Sequence, residues 1–160
     1  MSQSPDLNLS HIGSPVRLVV EREWGNYKVL HTGEGFIVKE LIINPRKRLS
    51  MQRHKYRSET WNLVVGQADI VTNLCTASDP FDGAFVHHLH KENPFVIPCN
   101  TWHQCRNDHD EPAHIVEIWK GPNDKLNESD IERYDPTPKD LQEAMEDYAE
   151  YCDKQMRLDF

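Results

Sequence analysis

Short apolar runs separated by turn residues make up most of this chain, and each run is four to eight residues long. Runs of that length, rich in Val, Ile, Leu and Trp and bounded by turn residues such as Gly, Pro and Asn, are typical of β-strands. Eight short strands at this spacing predict an all-β sandwich or a small barrel. The predicted strands are Val16–Val20, Tyr27–Leu30, Phe36–Ile43, Thr60–Val65, Ala68–Thr72, Ala84–His90, Asn93–Ile97 and His114–Trp119.

The two ends of the chain differ from this strand pattern. Residues 1–14 are polar and rich in serine, which predicts a loosely held tail before a strand region at 15–136. Residues 137–160 predict a C-terminal α-helix that packs on the barrel or on a partner subunit. Its apolar face is formed at spacings of four, three and four by Leu141, Met145, Tyr148 and Cys152.

Length and composition predict a single domain that is not a membrane protein. The chain has 160 residues, and its longest apolar runs are too short to cross a bilayer. The first residues lack the basic and apolar regions of a secretory signal, so we expect a cytoplasmic protein with reduced thiols. The four cysteines form no CxxC pair, which argues against a cysteine-based zinc site.

Charge is unevenly distributed along the chain. The formal net charge is −8, and an acidic protein is repelled by a phosphate backbone, so we expect no binding to nucleic acid. Residues 44–58 nevertheless carry six of the 18 basic residues and no acid. This segment is either a solvated basic loop or a site for a small anion.

Four residues in two separate blocks could supply ligands for a divalent metal. Gln52, His54 and Glu59 lie in the first block, and His103 lies in the second. Two imidazoles with oxygen donors suit a catalytic metal site. On the residues alone the assignment is weak, because nine histidines and 26 acids make such groupings easy by chance. A second candidate cluster, His87-His88-x-His90, divides between the two faces of its predicted strand.

The two blocks resemble the paired cupin motifs, G-x5-H-x-H-x4-E-x6-G and P-x-G-x2-H-x3-N. Gln52 stands at the first histidine position, and Asn100 stands at the glycine of the second motif. Over residues 22–135 the chain is similar to the cupin domain of type II mannose-6-phosphate isomerases. The resemblance implies a double-stranded β-helix, or jelly-roll barrel, and a homodimer. It also implies one divalent metal ion per subunit, with zinc favoured over manganese, cobalt, nickel or iron, held by Gln52, His54, Glu59 and His103.

The resemblance further implies an enzyme that interconverts mannose 6-phosphate and fructose 6-phosphate. Arg57, with Lys39 and Arg53, would bind the phosphorylated sugar, since arginine suits forked phosphate contacts. Glu117 and Lys39 are the candidate catalytic residues. Strand alternation alone does not show whether Lys39 or Glu40 faces the barrel interior, and the family match favours Lys39.

Several positions depart from the family pattern. Tyr56 and Thr60 replace histidines, and Gln104 follows His103 where the family usually has arginine. These departures leave two other functions open. One is a non-catalytic cupin that binds a sugar or a sugar nucleotide. The other is an iron(II)-dependent dioxygenase, which would use only His54, Glu59 and His103 as ligands.

Overall fold

Two antiparallel sheets face each other in the computed structural model, which describes residues 18–135. The first sheet has the strand order β1-β2-β3-β11-β6-β9, and the second has the order β12-β5-β10-β7-β8, with β4 also paired to β10. The strands are β1 Val19–Arg22, β2 Gly25–Gly33, β3 Phe36–Ile43, β4 Lys47–Arg48, β5 Gln52–Arg53, β6 Ser58–Val65, β7 Asp69–Asn73, β8 Phe85–His88, β9 Phe95–Ile97, β10 Trp102–Asn107, β11 Ala113–Lys120 and β12 Glu132–Arg133.

The main core lies between the two sheets and follows the alternation of β3 and β11. Leu41 and Ile43 on β3 face inward with Ile115 on β11, and all three are at most 3% exposed. Alternate residues of a strand point to opposite faces, so one apolar stripe per strand is enough to build this core. Toward one end of the sheets the same inward face turns polar, with Lys39 and Glu117 in cross-strand register.

A smaller apolar cluster lies apart from the main core. Met51, Val71 and Trp102 are buried there, and Ala77, Ala84 and Tyr134 pack against them. Ala77 belongs to the long β7–β8 connection, which is anchored by Asn73. The Asn73 amide donates hydrogen bonds of 3.1 and 2.8 Å to the carbonyl oxygens of Pro80 and Asp82. The long connection therefore covers an apolar patch.

The expected all-β architecture is confirmed, with differences at the strand ends. The first strand of the described residues is Val19–Arg22, and the predicted start at Val16 lies outside them; the sixth predicted strand is shorter, at Phe85–His88. Strand β10, Trp102–Asn107, was not predicted, because its inward and outward residues are both largely polar. The predicted tail at 1–14 and helix at 137–160 lie outside the described residues. Between residues 18 and 135, no helix has the length and apolar character needed to span a membrane.

Two glycines with positive φ give a matched test of backbone crowding. Gly66 (φ +81°) lies in the β6–β7 turn, where an added Cβ would be 2.3 Å from the Pro112 carbonyl oxygen. Gly83 (φ +68°) has nothing within 4 Å of the same position. We expect Gly83→Ala to cost about 1–2 kcal/mol for the left-handed backbone alone. Gly66→Ala should cost at least about 1 kcal/mol more, because it also overpacks backbone. Urea unfolding of both variants measures the difference, and equal losses would contradict it.

Candidate functional site

Three buried side chains converge between the sheets. His54 follows β5, Glu59 lies on β6 and His103 lies on β10, and each is at most 2% exposed. Nε2 of His54 is 2.9 Å from Glu59 Oε1, and Nε2 of His103 is 3.3 Å from Glu59 Oε2. Within residues 18–135, this is the one group of three such side chains whose donor atoms lie within 4.8 Å of one another.

Both histidines are held with Nε2 directed at this cluster. Nδ1 of His54 lies 2.6 Å from the Asp130 carbonyl oxygen, and Nδ1 of His103 lies 2.9 Å from that of Thr101. A carbonyl oxygen can only accept, so each Nδ1 carries the hydrogen and, in the neutral ring, Nε2 keeps its lone pair. Nε2 of His103 is buried without a hydrogen-bond partner. Two such nitrogens beside a carboxylate fit a divalent metal ion.

Gln52 is placed beside the cluster by strand pairing. It lies directly opposite His103 in the β5–β10 pair, so the two side chains share a face. The Ser50 hydroxyl donates a hydrogen bond of 3.3 Å to Gln52 Oε1. The structure therefore brings the three charged or imidazole ligands together and sets the amide on the same face.

Arg57 contacts the atoms that a metal ion would use. Its Nε donates to Glu59 Oε1 at 3.0 Å, and one terminal nitrogen lies 3.3 Å from His54 Nε2. The other terminal nitrogen donates to the carbonyl oxygens of Asn127 and Asp130. The guanidinium also lies 3.4 Å from the centre of the Trp119 ring. Arg57 is thus a buried counter-ion of Glu59.

Glu59 stays ionised within this network. Burial by itself raises the pKa of Glu59, but the interactions with His103 and His54 outweigh burial and hold that pKa well below 4.5. The indole nitrogen of Trp61 also donates to Glu59 Oε2 at 3.0 Å. The N–H groups of Arg57 and Trp61 both donate to this buried carboxylate, which stabilises its charged form.

Glu117 is the second buried acid beside Glu59, and its pKa is shifted the other way. Burial, together with the negative charge of Glu59, raises the pKa of Glu117 well above 4.5. Its Oε1 accepts a hydrogen bond of 2.7 Å from the indole nitrogen of Trp119. The pKa values of the two buried acids are therefore shifted in opposite directions by their surroundings.

Lys39, and not its neighbour Glu40, faces the barrel interior. Its side chain is buried, and its backbone lies directly opposite Glu117 in the β3–β11 pair. Nζ donates to Glu128 Oε1 at 2.6 Å and lies 3.5 Å from the Trp119 ring centre and 4.5 Å from that of Tyr27. Lys39 is thus held between two aromatic rings and one carboxylate.

A pocket of about 590 Å³ opens in front of this network. Aromatic, acidic and basic side chains line it, and the buried His54, Glu59 and His103 lie behind that lining. The lining includes Arg22, Glu23, Trp24, Tyr27, Lys39, Arg46, Lys47, Arg48, Gln52, Arg57, Glu117, Trp119, Glu128 and Arg133.

Arg53 does not reach this pocket. It lines a second cavity, and its guanidinium pairs with Glu132 and donates to the Cys75 carbonyl oxygen. The second candidate histidine cluster is also not assembled. His88 pairs with Asp69, whereas Nε2 of His87 hydrogen-bonds the Thr72 hydroxyl at 3.0 Å.

The sequence patterns missed several residues of the site. Glu128 and Asp130 belong to a segment without regular structure, and Arg133 belongs to a two-residue strand. No periodicity marks such residues. Trp119 gave a usable signal, because it lies two residues after Glu117 and so shares its face of β11.

Residues 14–136 match the family described as "Mannose-6-phosphate isomerase C-terminal". The chain belongs to this family. Solved structures support the cupin fold at low identity, which shows the fold alone. The capsular polysaccharide assembling protein CapF from Staphylococcus aureus is 16% identical, with a TM-score of 0.63 over 79% of this chain and 34% of its own. Oxalate decarboxylase from Bacillus subtilis is 14% identical, with a TM-score of 0.61 over 81% of this chain and 34% of its own. The expected cupin barrel is confirmed.

Two curated relatives of this chain are named for activities other than isomerisation. The mannose-1-phosphate guanylyltransferase of Salmonella muenchen is 31% identical over 72% of this chain and 22% of its own length. The alginate biosynthesis protein AlgA of Pseudomonas putida is 32% identical over 74% of this chain and 22% of its own length. This chain therefore spans about a fifth of the length of the curated relatives it matches.

The expectation of a mannose-6-phosphate isomerase is corrected by these names. The matching relatives reported above are named for guanylyl transfer or for alginate biosynthesis, and neither name is that of an isomerase. The match also covers only a cupin domain within much longer enzymes. The catalytic roles expected for Glu117 and Lys39 in isomerisation lose their basis with that activity, although both residues do face the pocket.

Proposed function

We propose that this family member is a metal-binding cupin domain that binds a phosphorylated sugar or sugar nucleotide without isomerising it. The observation that carries the proposal is the buried cluster of His54, Glu59 and His103 behind a pocket lined by aromatic and cationic groups. A pocket of about 590 Å³ lies within the usual range for small-ligand sites. Relatives named for work on mannose 1-phosphate support the same ligand class.

The pocket walls suit a sugar ring. Trp24, Tyr27 and Trp119 offer apolar ring faces, while Gln52 and Glu117 offer polar groups. A hexose has both C–H faces and hydroxyl groups, so a mixed wall of this kind matches its chemistry. The roles of Lys39 and Arg57 as ligand-binding residues belong to this proposal.

The proposed cofactor is one divalent ion per subunit, with zinc first among zinc, manganese, cobalt, nickel and iron(II). His54, Glu59 and His103 would hold it, with the Gln52 amide oxygen as a fourth donor, and it would polarise a ligand oxygen. Lys39 and Glu128 fix the pocket wall beside it through their ion pair. A homodimer, paired through edge strands, completes the proposal.

Isothermal titration of the full chain with mannose 1-phosphate, mannose 6-phosphate and GDP-mannose tests this function. We expect saturable binding of at least one of these ligands and no fructose 6-phosphate formed from mannose 6-phosphate. Tyr27→Leu should weaken binding about 5- to 10-fold by removing a pocket wall. Tyr56→Leu is the matched control, because Tyr56 is exposed and does not line this pocket. Absence of binding to all three ligands would contradict the proposal.

A second candidate is an iron(II)-dependent dioxygenase, favoured by the two-histidine, one-carboxylate donor set. It predicts oxygen uptake by the iron(II)-loaded protein in the presence of a sugar ligand. An oxygen electrode measures the uptake against free iron(II) at the same concentration. A rate equal to that of free iron would exclude this candidate.

A further inference from the structure

We propose that Arg22, Lys47 and Arg133 form an anion site at the mouth of the pocket and bind the phosphate or diphosphate of the ligand. This inference rests on the proposed function, because it assigns the charged end of the ligand within the same pocket. All three residues line the pocket and are exposed. They belong to β1, β4 and β12, so the site exists only in the folded chain.

The inner cations of the pocket are already neutralised. Lys39 Nζ is 2.6 Å from Glu128 Oε1, and Arg57 Nε is 3.0 Å from Glu59 Oε1. Arg57 is also only 2% exposed, and its remaining nitrogens contact backbone carbonyls and His54. An anion at Arg57 would have to break its pair with Glu59 and leave that carboxylate buried without its partner, which is costly. An anion at Lys39 would have to compete with the Glu128 carboxylate.

The outer cations differ among themselves. Arg46 and Arg48 pair with Asp110 and Asp108, at 2.8 and 2.9 Å. Arg22, Lys47 and Arg133, by contrast, have no carboxylate within salt-bridge distance among residues 18–135.

Glu23 and Glu117 also line the pocket without a basic partner at that distance, but Glu117 is buried at the inner end, at 4% exposure, so Glu23 is the unpaired acid beside the three cations. The mouth therefore has an excess of positive charge, which attracts and orients an anionic ligand.

Strand register sets the distance between the buried histidine cluster and the mouth of the pocket. Gln52 pairs with His103 on one side and with Arg133 on the other, so the three residues form a row across β10, β5 and β12. Neighbouring strands are about 4.8 Å apart, which puts the Cα atoms of His103 and Arg133 roughly 10 Å apart. A hexose ring bearing one phosphate has a comparable length. Its ring would then lie at the aromatic wall and its phosphate at the mouth.

Titration calorimetry on charge-neutral variants tests this site with mannose 1-phosphate, GDP-mannose and unphosphorylated mannose as probes. We expect Arg133→Gln to weaken binding of the phosphorylated probes about 5- to 20-fold, as for a lost contact with a charged group. The triple variant Arg22→Gln, Lys47→Gln, Arg133→Gln should weaken it more than 100-fold. Its affinity for mannose should stay within twofold, and Lys91→Gln, an exposed lysine outside the pocket, should change none of them.

The outcomes separate this inference from the proposed function. If the unaltered protein binds none of the phosphorylated probes, the proposed function fails. If it binds them and the triple variant binds equally well, only the mouth site is overturned, and the phosphate would lie at Arg57 and Lys39. A larger loss for GDP-mannose than for mannose 1-phosphate would support the mouth as a diphosphate site. Binding should also weaken as salt rises, and the triple variant should lose that dependence.

Discussion

Glu59→Gln is expected to destabilise the metal-free protein by about 3–5 kcal/mol, the cost of removing one partner of a buried ion pair. Glu59 accepts hydrogen bonds from Arg57 and Trp61 and lies next to His54 and His103. Without the carboxylate charge, the Arg57 guanidinium would be buried at 2% exposure and would lose its salt-bridge partner. Urea unfolding at pH 7 measures the loss, and a loss below about 1 kcal/mol would contradict the proposed charge pairing.

Glu117→Gln is the matched control. At pH 8 it should raise the free energy of unfolding, whereas Glu59→Gln should lower it. The pKa of Glu117 is raised in the folded protein, so the unfolded chain releases this proton first and the native state loses stability as pH rises above about 4.5. Gln cannot ionise and keeps an oxygen for the Trp119 indole. Glu117→Gln should therefore be nearly neutral at pH 4 and more stable than the unaltered protein at pH 8.

Glu59 has the opposite linkage. Its folded pKa is lowered, so its contribution is present above its unfolded value and is lost as pH falls toward the folded pKa. The cost of Glu59→Gln should consequently shrink in acid, whereas the gain from Glu117→Gln should grow in base. Parallel pH profiles for the two variants would show that their charge states are not set as described.

The sequence predicted the sheets well where one stripe of each strand is apolar. Strand β3 alternates from Phe36 to Ile43 and was placed with its observed bounds. Strand β10 was missed because the interior near the ligand cluster is polar. Gln104 and Asn107 are at most 9% exposed, yet each uses its amide to donate to backbone carbonyl oxygens, such as that of Leu49 for Gln104. Buried polar residues of this kind defeat a pattern based on hydropathy.

The residues of the buried cluster could be predicted from the sequence, but the surroundings of Arg57 could not. The resemblance to the cupin motifs singled out His54, Glu59 and His103, and the structure brings these three side chains together. The environment of Arg57 could not be found this way, because two of its partners are carbonyl oxygens at Asn127 and Asp130, 70 or more positions along the chain. Arg53, four positions earlier, looks equivalent in sequence but lies on the opposite side of the sheet. Only the folded register separates the two arginines.

His103→Ala is expected to reduce bound metal from one equivalent per chain to almost none. It removes the imidazole whose buried Nε2 has no other hydrogen-bond partner. Loss of a residue that only hydrogen-bonds a metal ligand typically lowers metal affinity 10- to 100-fold, and loss of a direct ligand should lower it more. His87→Ala, a half-buried histidine outside the cluster, is the control and should keep full metal content. Metal analysis by mass spectrometry and light scattering on the same samples separate metal loss from any change in assembly, which we expect to be unaltered.

Arg57→Gln should increase the affinity for metal, whereas His103→Ala should abolish metal binding. The Arg57 guanidinium holds Glu59 Oε1 and contacts His54 Nε2, so an incoming divalent ion has to compete with its positive charge for both atoms. Removing that charge should tighten metal binding, by about 10-fold for each 1.4 kcal/mol of competition relieved, while the metal-free protein loses stability. A His103→Ala protein with full metal occupancy, or an Arg57→Gln protein with weaker metal binding, would overturn the assignment of these atoms as the metal ligands.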